Sequence, residues 1–110
     1  MAKLIHMMIR VVDIERSIAW YRQAFGLEPA GRFAFESFDL VYLRNQENDF
    51  ELELTANKDR TQPYEHGEGY GHLALCVDDL DAEHARFTRE GFQPKDIKQL
   101  ENGGQKLARF

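Results

Sequence analysis

The chain has 110 residues, 43% of them hydrophobic and 30% charged, which suits one domain or two small fused units. Its net charge of −5 argues against nucleic acid or an anionic membrane as the main partner, and no apolar run is long enough to span a bilayer. With one cysteine and no signal-peptide pattern at the start, we expect a cytoplasmic protein without an intrachain disulfide.

The first predicted element is a strand within the apolar run of residues 4–11. Because side chains alternate across a strand, His6 and Arg10 are expected on the same face. Asp13 is typical of a helix N-cap, and the apolar residues that follow recur at helical spacing. Gly26 suits the C-terminal end of that helix.

Three further strands are predicted before a polar loop. The segments "RFAFESF" and "LVYLRN" are the first two, and "FELELT" is the third. In the third, alternation places Glu51, Glu53 and Thr55 on one face and the apolar residues on the other. Residues 56–71 bear Pro and Gly and are expected to form a loop.

After this loop, the sequence pattern of the first strand and helix is repeated. The segment "GHLALCVDDLDAEHARFTREGFQP" can be aligned with "IHMMIRVVDIERSIAWYRQAFGLEP", with His72 standing where His6 stands in the first copy. We therefore predict an α+β protein built from two βαβββ modules. The predicted first module is 1–57, the linker loop is 58–70, and the second module is 71–110.

The repeat predicts a metal site. If a pseudo-twofold axis relates the modules, His6 and His72 can converge, and imidazole is a good ligand for Zn, Ni, Co and Fe. Glu53 adds a carboxylate from the polar face of its strand, and Glu51 takes that role if the strand register slips. The same His-to-Glu interval counted from His72 leads to about position 119, past the last residue of this sequence. We therefore expect the second module to lack its last strand and a fourth ligand.

Other residues with reactive side chains have structural interpretations. His66 lies in a polar loop and His84 on the second predicted helix, so both are expected at the surface. Cys76 is expected to be a small buried residue.

Three segments together resemble a known family. "IHMMIRVVDIERSIAWYRQAFGL", "FELELTANK" and "GYGHLALCVDD" are similar to glyoxalase I (lactoylglutathione lyase) of the vicinal oxygen chelate superfamily. The resemblance implies paired βαβββ modules that form a curved sheet around a metal, with sites between the two chains of a homodimer. It also implies His6, Glu53 and His72 as ligands of one divalent ion, Ni²⁺, Co²⁺ or Zn²⁺.

The resemblance implies a lyase that detoxifies methylglyoxal. The substrate is the hemithioacetal of methylglyoxal and glutathione, and the product, reached through an enediolate, is S-D-lactoylglutathione. Glu53 is the implied base, and Arg10 and Asn57 match positions that hold glutathione. Lys98 and Lys106 are candidates for its other carboxylate. Because the fourth ligand has no counterpart, we expect these 110 residues to act slowly or not at all.

Other functions within the same superfamily remain open from the sequence. A metal-dependent ring-cleaving dioxygenase uses two histidines and a glutamate around Fe(II), which fits the ligands in number. An epimerase of acyl thioesters uses similar enolate chemistry. A non-catalytic antibiotic-binding protein needs no metal, and the three predicted ligands argue against it.

Overall fold

The computed structural model describes residues 1–101 and 104–110. These residues form two compact units, Met1–Tyr70 and Gly71–Phe110. The predicted second module also contains residues 102–103, which lie outside the described part of the chain. The division of the sequence into two repeated modules remains a prediction.

The first unit contains a four-stranded sheet and one helix. Its elements are β1 (His6–Arg10), α1 (Ile14–Phe25), β2 (Glu28–Ala34), β3 (Phe38–Arg44) and β4 (Glu51–Asn57). The strand order is β1-β4-β3-β2, in which β1 and β4 are parallel and the other pairs are antiparallel. The first and last strands of the βαβββ pattern are therefore neighbours.

Local interactions define both ends of α1. The Asp13 side chain accepts a hydrogen bond of 3.0 Å from the backbone N–H of Arg16, which satisfies a helix donor that has no partner within the helix. Gly26 adopts φ 64°, a left-handed conformation that glycine tolerates without a Cβ clash, and its N–H donates to the Arg22 carbonyl. Both predicted caps are confirmed.

The core of the first unit lies between α1 and one face of the sheet. Leu52 and Leu54 of β4 are buried on this face, because alternation turns Glu53 to the opposite side. The other core residues of the unit are aliphatic side chains from α1, β3 and β4: Ile14, Ile18, Ala24, Val41, Leu43 and Ala56. The alternation predicted for "FELELT" is confirmed.

The bounds of all four strands differ from the predicted ones; β3, for example, begins at Phe38 and ends at Arg44, one residue before the predicted end. Ile5 precedes β1 and is 60% exposed. β2 begins at Glu28, before the predicted segment, and contains an irregularity between Pro29 and Gly31. β4 continues to Asn57, because the ladder with β3 extends to the Phe38–Asn57 pair.

The second unit contains one helix and a short hairpin. α2 (Leu80–Arg89) is capped by the Asp79 side chain, which accepts a 3.0 Å hydrogen bond from the backbone N–H of Ala82. β5 (Lys98–Gln99) and β6 (Lys106–Leu107) form an antiparallel pair. Phe87 is the buried apolar residue of α2, and its ring meets that of Phe92.

The expected first strand of the second module is absent. Residues 72–77 are described and have no strand conformation. In the first unit β1 is hydrogen-bonded to β4 alone, and the described residues of the second unit contain no equivalent of β4. A strand without a hydrogen-bonded neighbour is not stable in water, which explains the difference. The expectation that Cys76 is buried is wrong for the same reason: it lies in this uncovered run and is exposed.

Candidate active site

One face of the sheet in the first unit carries four of the residues singled out from the sequence. The register pairs Met8 of β1 with Glu53 of β4, so their side chains point to the same side. His6 and Arg10 lie two residues before and after Met8, and Asn57 lies four residues beyond Glu53, so all share that side. We call this surface, defined by His6, Arg10, Glu53 and Asn57, the polar face.

A cavity of about 370 Å³ opens on the polar face. It combines a guanidinium, a carboxylate and an amide with an apolar floor, a mixture typical of small-molecule sites. Its lining residues are Met8, Arg10, Phe38, Leu40, Glu53, Thr55 and Asn57. Arg10, Glu53 and Asn57, three of the four residues that define the polar face, therefore line one cavity.

Glu53 is held in the interior of the sheet. It is 9% exposed, although its neighbours on the polar face at either end of the strand, Glu51 and Asn57, are only half-buried. The register of β3 and β4 pairs Tyr42 with Glu53, which places the Tyr42 phenol beside the carboxylate. The interaction of its hydroxyl with the Glu53 carboxylate is the main reason that the pKa of Tyr42 lies above its ordinary value, and burial raises that pKa further.

Tyr42 also contacts a second residue of the polar face, His6. Its ring meets the imidazole of His6 edge-on, with the ring centroids 5.5 Å apart. Tyr42 therefore contacts both His6 and Glu53. Tyr42 is not among the site residues predicted from the sequence, because the pairing of β3 with β4 is a tertiary contact. The only signal was the alternation in "LVYLRN", which places Leu40 and Tyr42 on one face.

His6 and Glu53 supply part of a metal-ligand set. An imidazole nitrogen and a carboxylate oxygen are the donor types that bind Ni²⁺, Co²⁺ and Zn²⁺. Within residues 1–101 and 104–110, however, no group of three or more His, Cys, Asp or Glu side chains is arranged to hold an ion. The two donors thus fit a metal site that needs at least one further ligand.

The other predicted site residues belong to the second unit. His72 is exposed in the irregular run before α2. Lys98 pairs with Leu107 and Gln99 with Lys106 in the β5–β6 ladder. Since successive pairs point to opposite sides of a ladder, Lys98 and Lys106 project in opposite directions. Along this ladder the two lysines are not placed to bind one carboxylate together.

Comparison with known proteins identifies the family. The chain belongs to the Glyoxalase/Bleomycin resistance protein/Dioxygenase superfamily, whose model matches residues 5–108. Within it, the chain is 34% identical over 96 residues to a lactoylglutathione lyase of Neisseria meningitidis, an alignment that covers 81% of this chain and 67% of that protein. It is 36% identical over 84 residues to the lactoylglutathione lyase of Haemophilus influenzae, covering 73% of this chain and 62% of that protein.

Solved structures agree with the sequence relatives. The trypanothione-dependent glyoxalase I of Leishmania major aligns with a TM-score of 0.75 and 28% identity, covering 99% of this chain and 86% of that one. Glyoxalase I from Zea mays aligns with a TM-score of 0.79 and 24% identity, covering 94% of this chain and 40% of that one, which supports the fold.

These findings confirm three expectations: the resemblance to glyoxalase I, the α+β fold of this superfamily, and an enzyme of the lyase class. The alignments span about two thirds of the length of the lactoylglutathione lyases from N. meningitidis and H. influenzae. Neither helix in the described part of the chain has the length and apolar character needed to cross a membrane.

Proposed function

We propose that the protein isomerises the hemithioacetal of methylglyoxal and glutathione to S-D-lactoylglutathione, and so detoxifies methylglyoxal. The observation that carries this proposal is the cavity on the polar face, which brings Arg10, Glu53 and Asn57 together. The reaction moves a proton between adjacent carbons of a substrate with two carboxylates and two peptide groups. It therefore needs a positioned base together with donors for anionic and carbonyl oxygens.

Each residue of the cavity has a distinct role in this proposal. The Glu53 carboxylate takes the proton from one carbon of the substrate and returns it to the neighbouring carbon. Arg10 pairs with a carboxylate of glutathione, because its planar guanidinium matches the two oxygens. Asn57 binds a further oxygen of the same tripeptide. Since Lys98 and Lys106 project in opposite directions, we assign the second carboxylate to one of them and not to both.

We further propose that His6, Glu53 and His72 hold one divalent cation, Ni²⁺, Co²⁺ or Zn²⁺. When bound, such an ion stabilises negative charge that develops on the oxygen atoms of the substrate. His6 and Glu53 already share the polar face, and Tyr42 contacts both, which keeps their side chains in place before an ion arrives.

The proposed site lies between two chains of a homodimer. His6 and Glu53 of one chain would meet His72 of the other, as the resemblance to glyoxalase I implies. One observation supports this arrangement: His72 lies in an exposed run, where it is accessible to another chain. We propose a cytoplasmic location for this dimer, since the chain has a single cysteine.

Thioester formation tests the proposed reaction. The protein is loaded in turn with Ni²⁺, Co²⁺ and Zn²⁺ and mixed with methylglyoxal and glutathione, and S-D-lactoylglutathione is quantified. Omission of glutathione is the control for unassisted chemistry. We expect slow turnover by residues 1–110, and faster turnover once a strand equivalent to β4, with a glutamate near position 119, is appended. No thioester from either form with any of the three ions would contradict the proposal.

A further inference from the structure

Asn57 lines two cavities. It is the last residue of β4 and lines the cavity on the polar face together with Arg10 and Glu53. It also lines a second cavity of about 390 Å³, whose other walls are Asp59, Arg60 and Tyr64. Contacts that the Asn57 amide makes in the second cavity therefore affect which hydrogen bonds it can make to a ligand in the first.

Tyr64 engages one end of the Asn57 amide. The Tyr64 hydroxyl donates a hydrogen bond of 3.2 Å to Asn57 Oδ1, in a part-buried position. An asparagine amide has an oxygen that only accepts and a nitrogen that only donates. Tyr64 occupies one of the two acceptor positions of Oδ1 and fixes the rotation of the amide, so Asn57 offers a ligand two Nδ2 donor hydrogens against one remaining acceptor position.

Arg60 holds Tyr64 in turn. Its guanidinium lies over the Tyr64 ring at 4.3 Å from the centroid. The same guanidinium donates to two backbone carbonyls of this loop, from Nε to Gln62 at 2.8 Å and from Nη2 to Pro63 at 2.9 Å. These three contacts fix the plane of the guanidinium, and the stacked phenol is fixed with it.

A backbone hydrogen bond also connects this loop to the end of β4. The Arg60 N–H donates to the Asn57 carbonyl at 3.1 Å, which forms a tight turn directly after β4. The loop therefore folds back on the strand end, and Tyr64 reaches the Asn57 amide, seven residues earlier in the chain.

We infer that Tyr64, braced by Arg60, is a positioning residue that sets the amide of Asn57 to donate and thereby selects a hydrogen-bond acceptor on the substrate. The favoured acceptor is a carboxylate or a peptide carbonyl, in preference to an ammonium group, which can only donate. The inference rests on the proposed function, because glutathione offers both acceptors. It goes further in naming the residues that make Asn57 selective.

Binding of S-methylglutathione, a glutathione thioether that does not react, tests the inference. Its Kd is measured by calorimetry with Zn²⁺ present for the unchanged protein, Tyr64→Phe and Tyr70→Phe. Tyr64→Phe removes one hydroxyl and keeps the ring that stacks on Arg60. We expect Kd to rise about threefold to tenfold, the effect of one hydrogen bond. Tyr70→Phe removes a hydroxyl from the same loop and should leave Kd unchanged.

A double-mutant cycle separates positioning from general damage to the fold. If Tyr64 acts through Asn57, then Tyr64→Phe should have no further effect on Kd in an Asn57→Ala background. Where turnover is measurable, Tyr64→Phe should raise KM and leave kcat unchanged, because the contact is made equally in the ground state and the transition state.

The possible outcomes distinguish the inference from the proposed function. Equal Kd values for the unchanged protein and Tyr64→Phe overturn the inference and leave the proposed function intact. Additive effects of Tyr64→Phe and Asn57→Ala also overturn it, since the two residues would then act independently. If neither the unchanged protein nor the form extended by a closing strand binds S-methylglutathione, both the inference and the proposed function are overturned.

Discussion

Replacing Glu53 with glutamine tests the central role assigned to this residue. Glutamine has nearly the same shape as glutamate, and it keeps a side-chain oxygen beside Tyr42, the cross-strand neighbour of position 53. The substitution therefore removes the charge and the proton-accepting group while the contact inside the sheet is kept. The free energy of unfolding should change little, which separates loss of function from loss of fold.

The expected loss follows from the two roles proposed for Glu53. A positioned base contributes about 10²- to 10⁴-fold to the rate, or roughly 3–5 kcal/mol of transition-state stabilisation. Metal affinity should fall as well. Changes to groups that only support a ligand lower affinity by about 10- to 100-fold, so the loss of a charged ligand should reach at least the upper part of that range.

The measurements are a Zn²⁺ titration of the chain and the rate of thioester formation at saturating metal, in the form extended by a closing strand. Glu51→Gln is the matched control. Glu51 is on the same strand and the same face, but it pairs with His6 and is more exposed than Glu53. Glu51→Gln should leave the Zn²⁺ affinity and the rate of thioester formation close to those of the unchanged protein.

Two results would refute this reasoning. A full effect of Glu51→Gln with none for Glu53→Gln would assign the ligand and base to position 51, which is the alternative left open by the sequence. No effect from either variant would remove the polar face from the chemistry.

Three further predictions concern assembly, pH and the core. Mixing His6→Ala and His72→Ala chains should recover about a quarter of the unmutated activity, because an interchain site leaves one intact site in each mixed dimer. If activity does not recover although subunit exchange is confirmed, a site within one chain is favoured. Burial raises the pKa of Tyr21 above 10.0, so the neutral phenol is favoured by folding. This contribution is complete below pH 10 and is lost as the pH rises through the native pKa, with a slope of at most about 1.4 kcal/mol per pH unit. Urea unfolding across that range should show a shallower decline in Tyr21→Phe, and identical declines would exclude Tyr21 as the cause. Leu54→Ala should lower the free energy of unfolding by about 2–5 kcal/mol, because Leu54 is fully buried, and a smaller loss on urea unfolding would mean that the core collapses around the gap.

The sequence alone determined the features that depend on near neighbours in the chain. The caps of α1 at Asp13 and Gly26 were predictable, because each is decided by bonds to the adjacent turn of the helix. The orientation of Glu53 opposite Leu52 and Leu54 followed from the two-residue period of a strand. The grouping of His6 and Arg10 on one face followed in the same way.

Only the tertiary structure decided which strands are neighbours in the sheet, and therefore which side chains lie together on one face. The parallel pairing of β1 with β4 places Met8 beside Glu53, and the pairing of β3 with β4 brings Tyr42 to the same point. Such pairings join residues far apart in sequence, and no local period encodes them. The same reason explains the run 72–77. Its composition favours a strand, but a strand forms only where a neighbouring strand accepts and donates its backbone hydrogen bonds.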